Sequence, residues 1–382
     1  MAEIRSDIEC MTTPSWLTDV PNNLGEPSHG KLKSDQWQTL GTTYLPISLI
    51  RLWDQNGDEA HDSCSAQHKI LLSVTLSLVS VVIITSSRTV SSEKADLYLK
   101  HMQNYLAGLC DLFLLYKFLP NHHMALHLSE YICLYGPIHA WWTFPFEHLI
   151  GLLQHIPTNF QNGCPSAIKN CQSYFAKLVN PQIHNTLLTD ISRFSVDLKD
   201  NTPFDPKDMT SIPEDTYKAL RTHFQSTVPP RAAKFHTFYT MNGLTFSVFT
   251  QHQGNGSILV HHPLCPSVPA QIESVIQTSS TEILFVVKYF LKTMARDPFK
   301  KYPALQASLW SQNLGQLAIV KPQDVETHFA CLQLIWDDSW CIVVVSLSRV
   351  FIYLNTVQHV TYLRYKNINW NNMSLQWALA VP

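Results

Sequence analysis

At 382 residues, with 45% hydrophobic and 11% aromatic side chains, the chain has material for two domains and a tail, and it is not low-complexity. Its formal charge of -2 and pI near 6.8 lack the basic excess that a DNA-binding protein normally carries. Nine cysteines without a CxxC, and an N-terminus without an apolar signal-like run, point to reduced thiols and an intracellular setting.

The first 64 residues read as a loop-rich segment, with one helix near Lys33 to Leu40 that Ser34 or Asp35 would cap, and a polar break from Asp54 to Ser63. The most hydrophobic stretch follows, Ile70 to Thr85 (ILLSVTLSLVSVVIIT). With five Ser/Thr, and short of the ~20 residues a membrane span needs, it predicts a buried helix or strand and no membrane partner. Ser91, Ser92 and Glu93 have the form of a helix start. Leu97, Leu99, Met102, Tyr105, Leu106, Leu109 and Phe113 continue it at helical spacing. Asn121 to Tyr135 reads as a helix stopped by Gly136-Pro137, and Thr143 to Gln154 as another, started at Pro145.

Asp200 to Pro230 is polar and Pro-rich, a linker by composition. Beyond it, LTFSVFTQHQGNGSILVHH has two β-type runs around a Gly-Asn-Gly turn, and ILFVVKYFL, HFACLQLIW and CIVVVSLSRVFIYL continue the strand character. The expected organisation is a loop-rich segment 1–64, a helical segment 65–195, a linker 196–230 and a mainly β domain 231–382, giving an α+β chain.

One segment carries candidate chemistry: NHHMALHLSEYICLYGPIHAWWTFPFEHLIGLLQHIPTN, residues 121–159. His123 and His127 stand at i and i+4, so a helix puts both imidazoles on one face, where they can grip one metal ion. His122 is a spare candidate, and Cys110 and Cys133 are nearby thiols. Glu147 comes twenty residues after His127 within a run of aromatic and apolar residues. A carboxylate there must be exposed, paired or bound to a cation. A helical His pair is also a common surface arrangement, and a lone Glu is usually solvated.

The same segment resembles the block near the end of the core of CACTA-type (En/Spm-like) DDE transposases, where a His-x-x-x-His pair is followed by Gly-Pro, an aromatic run and Pro-Phe-Glu. TPSWLTDVPNNLGEPSHGKLKSDQWQTLGTTYLPISLIRLW and SSEKADLYLKHMQNYL are similar to the stretches that precede that block, so the resemblance spans roughly residues 12 to 160. Asp297-Pro298-Phe299 and the strand-rich tail look like the family's C-terminal extension.

The resemblance implies an RNase H-like fold interrupted by a helical insertion, of which this chain carries the insertion, the terminal helix and a mainly β C-terminal domain. It implies that Glu147 is the third acid of a centre using Mg²⁺ or Mn²⁺. It implies that His123 and His127 are half of a Zn²⁺ site that a CxxC completes in the family. Implied partners are transposon terminal DNA and the N-terminal part of the transposase, and the implied location is the nucleus. The first two catalytic Asp are expected upstream of residue 1, since Asp19, Asp35 and Asp54 read as loop or cap acids, and the CxxC is absent. The expectation is therefore a fragment inactive by itself, with a transposon-derived binding or interaction protein as the alternative.

Overall fold

The structure, a computed structural model, describes residues 1–26, 32–54, 63–87, 89–141, 206–225, 227–241, 243–262 and 265–347. It is α+β, as expected. Two compact units are present, Met1–Pro137 with Pro203–Phe351, and Ile138–Thr202 with Ile352–Pro382; of the second, the described residues are 138–141. The first unit thus unites helices and strands that the sequence divides among four segments.

Its helices are α1 (Ala2–Cys10), α2 (Ser34–Thr39), α3 (Leu45–Trp53), α4 (Ser63–Thr85), α5 (Ser92–Leu112), α6 (Pro120–Leu126), α7 (Leu128–Tyr135) and α8 (Glu214–Phe224). The helix expected near 33–40 forms and then runs on. Lys33 N–H donates to Gln36 Oε1 at its start. A π-helical turn, Leu40–Tyr44, joins it to α3 just before Pro46, whose missing N–H breaks the regular ladder. In α5 the Ser91 side chain accepts from Lys94 N–H, as the Ser-rich start predicts.

The Ile70 to Thr85 run lies in α4, which is longer than expected and is the one helix among the described residues long and apolar enough to cross a membrane by length and composition. Leu72, Leu76, Val79 and Ile83 form a buried stripe at helical spacing and join the core with α1, α3 and the sheet, while Ile70 is half exposed. Thr75, Ser77 and Ser80 donate their hydroxyls to carbonyls four residues back, so these polar groups are satisfied inside the helix. On another face α5 approaches closely at Gly108, where an added Cβ would stand 2.2 Å from Val74 Cγ2.

The strands are β1 (Thr210–Ser211), β2 (Ala232–His236), β3 (Phe238–Met241), β4 (Leu244–Ser247), β5 (Ser257–His262), β6 (Cys265–Gln277), β7 (Ile283–Lys292), β8 (Ala307–Val320), β9 (Val325–Trp336) and β10 (Ser339–Ser346). The order β1-β2-β6-β5-β9-β10-β8-β7, with a further β6–β7 pairing, closes β5 to β10 into a six-stranded antiparallel barrel. Phe290 and Phe329, on strands that are not neighbours, meet edge to face with centroids 6.2 Å apart, so this contact crosses the interior. Leu259, Ile342 and Val344 fill the same cluster. On the opposite faces Leu332, Leu334, Val343 and Val345 pack against the helices.

The two β-type runs flanking Gly254-Asn255-Gly256 form β4 and β5, as expected, each with other partners: β4 pairs with β3 in a hairpin of its own, and β5 enters the barrel between β6 and β9. The region read as a linker contains β1 and α8, whose Tyr217 and Leu220 are buried against Ala233, Ile276 and Val286. Of the last strand run, β10 ends at Ser346, and residues 348–354 lie outside the described residues.

The N-terminal residues Thr12 to Trp16 are strapped onto the barrel. Thr12 and Cys331 exchange backbone hydrogen bonds of 2.9 and 3.0 Å. Ser15 N–H donates to Asn255 Oδ1 at 2.9 Å, and Asn255 Nδ2 donates to Ser15 Oγ at 3.0 Å. Trp16 Nε1–H donates to Nδ1 of the fully buried His328, which stacks on Phe246 with centroids 4.4 Å apart.

Candidate metal centre

The candidate site is carried by α6 and α7, which pack against α5. Tyr98, buried on α5, donates its hydroxyl to the Ala125 carbonyl at 2.8 Å. Burial raises the pKa of this phenol, so it stays a donor at ordinary pH. Tyr98→Phe should therefore cost about 1 kcal/mol, the worth of one hydrogen bond whose acceptor stays in place. Urea unfolding checks this, and a change within experimental error would show that the bond does not fix α6 to α5.

The single helix expected over Asn121 to Tyr135 is two. Pro120 opens α6, and the chain turns at His127, whose N–H bonds to the Met124 carbonyl three residues back. The turn leaves the i,i+4 relation intact. His123 and His127 meet edge to face with centroids 4.9 Å apart, and their Nε2 atoms are 3.3 Å apart. Two nitrogens bound to one tetrahedral zinc at roughly 2.0–2.1 Å stand about 3.3 Å from each other, so the pair fits two corners of such a site. His127 Nδ1 lies 3.7 Å from Glu130 Oε2. Glu130 was not among the candidates drawn from the sequence; its i+3 relation to His127 is the signal that could have found it.

His122 departs from its expected role. Its Nδ1 accepts from Leu119 N–H at 3.0 Å, and its Nε2 lies 3.3 Å from the Tyr116 hydroxyl, within an aromatic corner of Tyr116 and Phe118. With Nδ1 an acceptor, Nε2 carries the proton, and neither nitrogen is offered to a metal. Cys110 and Cys133 are exposed free thiols. Cys133, six residues beyond His127, is turned about 120° round a helix axis from it. Among the described residues no three or more His, Cys, Asp or Glu side chains come together as a group that could hold a metal ion. For zinc the histidine pair fits as two ligands; for Mg²⁺ or Mn²⁺ the described residues offer no carboxylate set.

Glu147, and the helix expected over Thr143 to Gln154, lie outside the described residues. Comparison of the chain with protein families, curated proteins and solved structures finds no match.

Proposed function

We propose that this chain is a transposon-derived protein, the part of a CACTA-type DDE transposase that holds the helical insertion and terminal helix of an RNase H-like core, and that alone it neither cuts nor joins DNA. The observation that supports it most is the spacing of His123 and His127 Nε2, 3.3 Å, at the positions where the resemblance puts half of a zinc site. Zinc bound there would fix α6 to whatever supplies its other ligands. Two nitrogens alone bind it weakly, because closed structural sites use four N/S ligands.

The chemistry of the reading is phosphodiester cleavage and strand transfer at transposon ends, in the nucleus. Such chemistry would need several carboxylates to hold two divalent cations, which would supply activation of water and stabilisation of the leaving oxygen. Glu147 would be one of the carboxylates; the others would come from upstream coding sequence or another polypeptide.

The test is a cleavage and joining assay on terminal-repeat DNA in Mg²⁺ or Mn²⁺. The purified chain should give no product, and Glu147→Gln should leave that result unchanged. Metal-dependent cleavage that disappears in Glu147→Gln would overturn the proposal and require two further acids within these residues. Translation of the DNA upstream of Met1 gives the complementary test: an in-frame Asp pair and CxxC would make this chain part of a complete enzyme. The alternative, a binding protein with no such enzyme behind it, draws on the exposed Ile335 and Trp340, a cross-strand pair near the tip of the β9–β10 hairpin.

A further inference from the structure

We infer that Glu130 is a positioning residue for His127, selecting the ring tautomer that presents Nε2, beside His123 Nε2, to a metal ion. The inference rests on the reading of this pair as metal ligands, and it concerns how this chain prepares them.

An imidazole binds metal through one nitrogen only when that nitrogen is free of its proton, and the partner of the other nitrogen decides which one that is. At His127 the two nitrogens face different neighbours. Nε2 faces His123 at 3.3 Å, and Nδ1 faces the Glu130 carboxylate at 3.7 Å. A negative charge beside Nδ1 favours the proton there. The Nε2 lone pair of His127 is then directed at the point it shares with His123. At 3.7 Å the contact is an ion-pair distance rather than a hydrogen bond, so Glu130 acts through its charge.

The arrangement follows from local structure. His127 is the N-cap of α7, and Glu130 lies in the first turn of that helix. Residues three apart on a helix are surface neighbours, so α7 brings the carboxylate to the ring without help from the rest of the fold. A carboxylate in the first turn also suits the helix dipole. That purely structural role would show in thermal stability and would leave metal affinity and ring tautomer untouched.

The experiment uses the full chain and the metal alone. Co²⁺ binding is followed by its visible absorption, Zn²⁺ binding by competition with a chromophoric chelator, and the ring tautomers of the metal-free protein by ¹⁵N NMR. Wild type should bind and His123→Ala should lose binding. Glu130→Gln should weaken both metals about twofold to fivefold, less than loss of a hydrogen-bonded outer partner would, because the contact is exposed and acts through charge. In the metal-free protein His127 should be protonated at Nδ1, and Glu130→Gln should spread the proton over both nitrogens. Unchanged affinity and tautomer in Glu130→Gln, with binding still lost in His123→Ala, would overturn the role of Glu130 and leave the histidine pair standing. No binding by wild type, or binding undiminished in both His123→Ala and His127→Ala, would overturn the metal reading and this inference with it.

Discussion

Gly254→Ala should cost roughly 3 kcal/mol or more, at or beyond the upper end of what one overpacking substitution does. An added Cβ would stand 1.8 Å from the Thr13 carbonyl oxygen, 2.2 Å from its carbon and 2.6 Å from Pro14 N. These are backbone atoms of the strap, so no side-chain rotation relieves the clash. Thr12 to Trp16 must lift away, and the Thr12–Cys331 pairing and the Ser15–Asn255 bonds are lost with it. The measurement is the urea unfolding midpoint, together with hydrogen exchange at Thr12 and Cys331. A loss below about 0.5 kcal/mol, the range of ordinary surface changes, would mean that the strap does not sit against Gly254.

Acid should destabilise the fold through His328 by about 3 kcal/mol. Burial pushes this imidazole from 6.5 to about 4, with His252 adding to the effect and the Asn255 and Thr245 carbonyls opposing it. The unfolded chain therefore binds a proton below about pH 6.5 that the folded chain refuses until about pH 4. Stability is complete above the upper value and falls as pH drops towards the lower one, each unit being worth about 1.4 kcal/mol. There is a structural reason for the refusal. Trp16 can only donate, so His328 Nδ1 must accept, and protonation there turns the bond into a repulsion between donors. Nε2 is buried without a well-formed partner, which makes the ring poorly prepared to carry charge. In His328→Asn the stability near neutral pH should be lower and its slope across this window correspondingly shallower. An unchanged slope would assign the acid sensitivity to other groups.

Which elements could be read from the sequence follows from how each one is buried. β7 and β9 are continuous apolar runs because both faces are covered, and they stand close to where ILFVVKYFL and HFACLQLIW put them. β8 did not announce itself: Ser311, Gln312, Asn313, Gly315 and Gln316 interrupt its apolar pattern. β6 begins with Pro266 and Pro269, which speak against a paired strand, and the sequence gives no hint that β6 also closes the barrel. α8 was hidden because Asp and Pro surround it, while the residues that seat it, Ala233 and Ile276 among them, come later in the chain. At the candidate site the i,i+4 spacing predicted that His123 and His127 would meet, since helix geometry is local. It could not reveal that His122 bonds to Leu119 and Tyr116 instead, because that depends on how the chain turns between α5 and α6.

The strap also sets a delay in the life of each new molecule. Ser15 and Asn255 are 240 residues apart. At translation rates of ~5–20 residues per second, roughly 12–48 s pass between the appearance of one and the other. During that interval Ile4, Ile8, Trp16 and Leu17 have none of the strands they finally pack against. A nascent chain must therefore carry the strand-facing part of this apolar segment without its cover through most of its synthesis, and its yield in a cell will depend on what shields those residues until β5 and β9 emerge.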